Sequence, residues 1–424
     1  MSTLYPGFPA LSRNTDNTLC MDQLSLAALA KEHGTPLFVY SQASMRNAVR
    51  SYQQGFEGRN ALVCYAMKAN SNLAVLQVFA QAGCGFDTVS AGEIQRALAA
   101  GAKPENIIFS GVGKTRAEMR YALQVGIGCF NVESVNELGV LNTVAWELGM
   151  QAPISIRVNP NVDAGTHPYI STGLKDNKFG IAHEQALEAY QLAHSLPGLR
   201  IVGIDCHIGS QITQTGPFVD AAKRLVELIR TIEEAGIALE HIDLGGGLGI
   251  TYSGEEPPAA RDMLEKVLAV LDENGLGQRK LVVEPGRSLV GNAGVCLTEV
   301  VFLKHGETKN FCIVDAAMND LPRPAMYEAF HRIEPVQPRE EHTQLYDIVG
   351  PICESGDWLG RERELTVHEG DLLAVLSAGA YCSSMSSNYN SRPRAAEVLI
   401  ADGQAHLVAE REQVQDLFAR EKLL

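Results

Sequence analysis

Long apolar runs are missing from this sequence. None approaches the ~20 residues that a bilayer-spanning helix needs, so an integral membrane protein of that kind is not expected. The opening stretch, MSTLYPGFPALSRNTDNTL, has no basic segment leading into an apolar one, so no secretory signal is read there. Paired cysteines are missing too. The nine cysteines are odd in number and scattered, with no CxxC spacing. That disfavours a disulfide framework or a zinc site, so free thiols in a reducing cytoplasm and no bound metal are expected. Positive charge is also short. Lys and Arg total 35 against 50 Asp and Glu, a net charge of −15 with no long basic run. Nucleic acid is therefore not the expected partner.

What is present is ordinary soluble composition, 46% hydrophobic and 20% charged, in 424 residues. That length can bury two sizeable cores. Between about residues 60 and 285, short apolar runs alternate with longer stretches of helical periodicity. The runs are Ala61–Tyr65, Cys84–Val89, Asn106–Ser110, Gly128–Val132, Ile154–Val158, Ile201–Cys206, His241–Leu244 and Leu281–Glu284. Glycine commonly follows the last turn of the intervening segments, as a helix cap would. Eight such units predict an α/β fold with a closed (β/α)8 barrel of the TIM type. An open doubly wound sheet is the alternative, which the count disfavours.

After about residue 290 the pattern becomes short alternating or apolar runs, among them GVCLTEVVFLKHG, KNFCIVDAAM, QLYDIVGPIC, DLLAVLSAGAY and AAEVLIADGQAHLV. These predict a C-terminal all-β domain, a sandwich or Greek-key barrel. The expected division is residues 36–290 for the barrel, with 1–35 and 291–424 forming the β domain. MDQLSLAALAKEHG reads as a short helix before the repeats. STGLKDNKFG (Ser171–Gly180) reads as a polar, glycine-bearing loop where a lid could lie.

Functional groups of such a barrel collect at the C-terminal ends of its strands. Lys68 ends the run VCYAM there, where a lysine is either solvated at the rim or required. His207 follows IVGIDC, the glycines Gly245, Gly246 and Gly247 follow HIDL, and Glu284, Gly286 and Arg287 lie in VVEPGR. Consecutive glycines form a structural turn or let backbone N–H groups approach a phosphate. Ser210 lies three residues beyond His207 on the same kind of loop. A carboxylate ending an apolar strand needs a partner. For Glu284 that partner is Arg287 or a protonated ring nitrogen. A lysine, a phosphate cradle, a flat side chain and a carboxylate together suit pyridoxal 5'-phosphate.

YAMKAN, HIGSQ, LGGGLGI and EPGR resemble the barrel-type (fold type III) pyridoxal-phosphate enzymes. MNDLPRPAMYEAFH, VGPICESGD and GAYCSSMSSNYNSRPRAAEVL narrow the resemblance to the diaminopimelate decarboxylase family, over nearly the whole chain and in order. The resemblance implies decarboxylation of meso-2,6-diaminopimelate to L-lysine, the last step of lysine biosynthesis. It implies Lys68 as the Schiff-base lysine, His207 as the ring-stacking residue, and Ser210, Gly247 and Tyr381 as phosphate ligands. Glu284 would meet the ring nitrogen. Arg287 and Arg323 would hold substrate carboxylate with Tyr327 beside them. Gly286 and Arg287 would also serve the cofactor, and Tyr381 also the substrate. Glu354 would bind the far amino group, and Cys353 would return a proton to Cα. It further implies a cytoplasmic homodimer with shared active sites, CESGD entering from the second subunit. The chain departs from the family pattern at Ala316–Ala317, where glycine is expected near the second position, and at Pro322, beside Arg323.

Three alternatives stay open from the residues. An ornithine- or arginine-type decarboxylase would need an acid for a distal cation, where this chain offers Arg323 with Glu354. An alanine racemase would place an arginine against the ring nitrogen, where this chain has Glu284. An inactive cofactor-binding homologue would be expected to lack Lys68 or Cys353, and both are present.

Overall fold

The computed structural model describes residues 5–162 and 178–424. Most of the Ser171–Gly180 loop therefore lies outside the described residues. The chain divides into two compact units. One comprises Arg46–Gly249 and Pro257–Leu289; the other comprises the chain up to Met45, Ile250–Glu256 and Val290–Leu424.

In the first unit, eight parallel strands close into a ring. They are β1 (Ala61–Ala66), β2 (Gly85–Thr88), β3 (Ile107–Phe109), β4 (Cys129–Val132), β5 (Ala152–Asn159), β6 (Leu199–Asp205), β7 (His241–Asp243) and β8 (Lys280–Val283). Each pairs with the next, and β8 returns to β1 with Leu281 opposite Ala61. Closure excludes the open doubly wound sheet. All eight strands overlap the runs read from the sequence.

These segments become strands because they are apolar on both faces, as a helix-covered parallel sheet requires. Every residue of β2, β3 and β4 is buried. Between strands and helices, Tyr65 packs on Phe79 with ring centroids 4.1 Å apart, and Phe109 lies 6.0 Å from Phe130. The helices after β2, β3 and β4 start abruptly, each from a Ser or Thr with Glu three residues later. Ser90, Thr115 and Ser134 accept the backbone N–H of Glu93, Glu118 and Glu137. Such caps contribute about 1 kcal/mol each and fix where the strand-to-helix loops end. Those loops carry the rim residues.

The second unit is sheet-rich. Its spine is the twelve-residue strand Gly294–His305, which pairs with Asn310–Val314, Leu372–Val375 and Leu37–Ser41. Beyond these lie Gln344–Val349, Trp358–Leu365, Ala396–Ala401 and Gln404–Ala409. A buried core of Phe8, Leu19, Leu26, Leu37, Val39, Leu297, Leu376 and Val398 fills it. The expected helix is present as Leu26–His33, capped by Ser25 and ended at Gly34.

The boundary expected at residue 36 is displaced. Leu37–Ser41 was assigned to the barrel side, yet it pairs with Gly294–Leu297 and, in parallel, with Ala396–Ile400. A buried apolar pentapeptide suits either sheet. Partners some 260 and 360 residues away in the chain decide which one takes it. Pairing over such separations leaves no local signal.

The ring of β strands should respond to loss of one interior ring. Phe130 is fully buried. Phe130→Ala should lower unfolding stability by about 3–5 kcal/mol, read by urea titration of the barrel's far-UV signal. A loss below about 1 kcal/mol would show that the Phe109–Phe130 layer is not close-packed.

Candidate active site

Lys68 leaves β1 through a single 3-10 turn, Met67–Ala69. Met67 and Ala69 point inward and are buried, while the Lys68 side chain keeps 41% of its accessible surface. Its Nζ donates to Asp87 Oδ2 at 2.9 Å. Asp87 is the third residue of β2, and its side chain is wholly shielded from solvent. The turn therefore lifts the ammonium out of the core while an acid on the neighbouring strand holds it at the rim.

Asp87 shares this rim with three further buried carboxylates that crowd one another. Asp205 ends β6, Asp243 ends β7, and Glu284 directly follows β8. One oxygen from each of Asp205, Asp243 and Glu284 lies within 4.8 Å of the others. Glu284 Oε1 accepts from Asn131 Nδ2 at 3.1 Å, and Asn131 Nδ2 also donates to Ser110 Oγ at 3.3 Å. Asp243 Oδ1 accepts the Gly245 N–H at 2.9 Å. Among the described residues Asp87 Oδ1, Asp205 Oδ1 and Asp243 Oδ2 have no hydrogen-bond partner. Burial first, and the neighbouring carboxylates second, hold Glu284 and Asp205 well above the ordinary carboxylate range. Burial pushes Asp243 up to about 7. Protons shared among these acids relieve a crowding that ionised groups could not sustain.

His207 follows β6. Its Nδ1 accepts the Gly246 N–H at 3.2 Å, which leaves Nε2 as the proton-bearing nitrogen of a neutral ring. Burial, then the positive charges of Arg157 and Lys68, hold it well below the ordinary histidine range. Gly245 and Gly247 have φ of 65° and 115°, and side chains there would strike the carbonyls of Cys206 and Gly209. A Cβ at Gly246 would lie 2.1 Å from the Glu284 carbonyl oxygen. This loop thus packs backbone to backbone against the Gly209–Ser210 loop, with Ile212 N–H donating to the Gly247 carbonyl at 2.9 Å. Arg287 donates to Ser210 Oγ through Nη2 at 2.9 Å. Gly286 packs beside Ala66 and Ala69, which flank Lys68. The Glu284 side chain is thus bonded to Asn131, and Arg287 to Ser210.

The site residues expected after position 290, with Tyr252, lie in the sheet-rich unit. Arg323 opens the helix Arg323–Tyr327 directly after Pro322, and both residues are buried. Tyr327 is half-buried at its end. Ala316 and Ala317 are fully buried, and Ala317 N–H donates to Asp320. Cys353 is exposed, while the other eight cysteines are buried and all nine are free. Asp357 shapes the CESGD loop by accepting the N–H of Ile352 and of Met318, each at 2.7 Å. Glu354 is exposed and hydrogen-bonds Tyr389. Tyr381 sits in the left-handed region at φ 58°.

The sequence reading missed Asp87, Asn131, Asp205 and Asp243, together with Arg157 and the Glu133 that pairs with it at 3.0 Å. Their signal was available: Asp87, Asn131, Arg157, Asp205 and Asp243 are polar residues inside otherwise apolar runs, and Glu133 directly follows one.

The barrel residues fit pyridoxal phosphate. An amine stands at the rim, two glycine-bearing loops expose backbone, and a flat neutral histidine bridges them. Three crowded acids could also hold a metal ion. The adjoining amine and cradle favour a protonated pyridine nitrogen as the missing positive charge.

Residues 42–291 match the family model described as "Pyridoxal-dependent decarboxylase, pyridoxal binding domain". The chain is 56% identical over 407 residues to a diaminopimelate decarboxylase of Pseudomonas fluorescens, covering 96% of this chain and 97% of that one. Identity to a diaminopimelate decarboxylase of Vibrio cholerae is 53% over 409 residues, covering 96% and 98%. The crystal structure of diaminopimelate decarboxylase from Helicobacter pylori complexed with L-lysine superposes with a TM-score of 0.90 at 43% identity, covering 93% and 98%.

The acid cluster makes the cofactor-free protein pH-sensitive. Asp243 binds its proton more tightly folded than unfolded, so its contribution is complete below about pH 4 and is lost as pH rises towards 7. Asp243→Asn keeps the acceptor for Gly245. It should therefore stabilise the apo protein at pH 8 by about 2–4 kcal/mol and flatten its stability between pH 5 and 8. Thermal midpoints of apo wild type and variant across that range check this. Parallel curves would show that Asp243 titrates normally.

Proposed function

The chain belongs to the diaminopimelate decarboxylase family of pyridoxal-dependent decarboxylases, and from that premise we propose its reaction. It removes the carboxyl group at the D-centre of meso-2,6-diaminopimelate and releases L-lysine and CO2. The observation that carries this reading is the amine of Lys68 held by buried Asp87, among acids that a protonated ring nitrogen would neutralise.

Pyridoxal phosphate, when bound, supplies the sink for the electron pair that departing CO2 leaves on Cα. Lys68 Nζ would hold the cofactor aldehyde, and its amine would give up a proton to the departing product amine. Glu284, ionised beside a protonated ring nitrogen, would keep the proton on that nitrogen by opposite charge. The neutral face of His207 supports the ring. Ser210, Gly245, Gly246, Gly247 and Tyr381 supply phosphate donors, with Arg287 fixing Ser210. Arg323 and Tyr327 hold the substrate carboxylate far from the reacting carbon, and Glu354 holds the amino group there. Cys353 Sγ gives a proton to Cα, a role that its exposure permits. We infer a homodimer in which the Cys353–Asp357 loop serves the neighbouring copy's site, and a cytoplasmic location consistent with nine free thiols.

The decisive experiment supplies pyridoxal phosphate and, separately, meso-diaminopimelate, ornithine, arginine and alanine, and measures CO2 and products. CO2 from diaminopimelate alone is expected. Release from ornithine or arginine instead would replace the substrate assignment, and no product from any would leave an inactive cofactor binder. Cys353→Ala should lower kcat by about 10²–10⁴ with little change in cofactor absorbance. Unchanged kcat would move the proton donor elsewhere.

A further inference from the structure

Among the described residues three arginines are deeply buried: Arg287, which donates to Ser210 Oγ, and Arg157 and Arg323, which are treated differently from each other. Arg157 is 8% exposed and lies 3.0 Å from Glu133. Arg323 is 6% exposed, and among the described residues no carboxylate lies within ion-pair range of it. A buried cation without a counter-ion is costly. Something must make the site tolerable without cancelling the charge.

The surroundings of Arg323 supply that. Arg323 Nη1 lies 2.9 Å from His331 Nε2, and His331 Nδ1 lies 2.8 Å from the Leu376 carbonyl oxygen. A carbonyl only accepts, so Nδ1 carries the proton. A guanidinium only donates, so Nε2 is the acceptor. Both ring nitrogens are thereby assigned and the imidazole is neutral. On another side the guanidinium carbon stands 4.6 Å from the Tyr252 ring centroid, a cation–π contact. The Tyr252 and His331 rings meet edge to face at 5.2 Å. Both arms hang on one turn: Leu376 N–H donates to the Arg332 carbonyl at 2.8 Å, and Ser377 Oγ donates to the Thr251 carbonyl at 3.0 Å. His331 and Ser377 are fully buried.

We propose that His331 and Tyr252 form a neutral cage that immobilises the Arg323 guanidinium without neutralising it. The carboxylate of an amino-acid ligand then becomes its counter-ion, and residue 331 sets the preference for ligands bearing that carboxylate. His331 and Tyr252 are positioning residues, because they act through Arg323. The proposal rests on the assignment of Arg323 to substrate carboxylate. It adds what keeps that charge available: an acid at position 331 would hold the arginine equally well and occupy it.

L-Lysine and cadaverine differ by one carboxylate, so their titration into the holoenzyme, followed by cofactor absorbance, isolates the interaction. Wild type should bind L-lysine at least tenfold more tightly than cadaverine. His331→Gln retains a neutral acceptor and should keep most of that preference. His331→Glu should lose L-lysine affinity by thirtyfold or more while cadaverine changes less than threefold. Its thermal midpoint should equal or exceed that of His331→Gln. A purely structural role predicts that L-lysine affinity falls with thermal midpoint across the two variants, and that result overturns the cage. So does a wild type that binds both ligands equally, or a His331→Glu protein whose L-lysine affinity stays within threefold of wild type. The functional reading is judged separately by CO2 release, since these titrations need no turnover.

Discussion

Negative charge crowded where water cannot reach it is the constraint on which the barrel's chemistry depends. Asp87, Asp205, Asp243 and Glu284 sit at or just beyond the ends of four strands, and all are buried. A closed parallel barrel delivers this arrangement without special devices, because every strand points its last residue at the same rim. The positive charges that act on these acids are those of Lys68 and Arg157, and Arg157 is already paired with Glu133. The acids consequently keep protons that a solvated carboxyl would surrender. An apo protein built this way sacrifices stability near neutral pH, and a ligand that brings a cation restores it. Local instability at a functional site is then a consequence of the binding chemistry.

The sheet-rich unit poses the converse case. Its buried arginine is held by neutral neighbours, an imidazole and a phenol. Glutamate at position 331 would make the second unit more self-sufficient and leave it less able to select a ligand.

The fold was legible because it rests on local pattern. Eight apolar runs separated by amphipathic stretches predicted eight strands, and the ring that closes at Leu281 and Ala61 follows from their number. Leu37–Ser41 was misplaced because five buried residues carry no record of partners near residues 295 and 398. Trp358–Leu365 escaped for another reason: its charged residues, Arg361 to Glu364, hide the alternation of a strand with one wet face. In the site, lysine, histidine and glycine stood out because their chemistry is distinctive in short motifs. Asp87 and Asn131 did not, although the structure places them on Lys68 and Glu284. An aspartate in FDTV looks like a strand end until a neighbouring strand supplies an ammonium. The relation between Arg323 and His331 was hidden further, because the tautomer that defines the cage is set by the carbonyl of Leu376.

Substrate choice follows from this division. In the proposed reaction Lys68, Asp87 and Glu284 would handle an amine, an aldehyde and a ring nitrogen, and that chemistry is indifferent to what lies at the far end of an amino acid. Discrimination between diaminopimelate and ornithine must therefore come from groups that read the distant end. A buried arginine discriminates steeply, because a ligand lacking the carboxylate leaves the cation desolvated and unanswered. The asymmetry is about 3–5 kcal/mol when one partner of a buried pair is missing, several hundredfold or more in equilibrium terms. An exposed arginine would be hydrated in either case and would discriminate weakly. If Arg323 reads that end, as proposed, its burial, more than its charge alone, would turn a carboxylate from a convenience into a requirement.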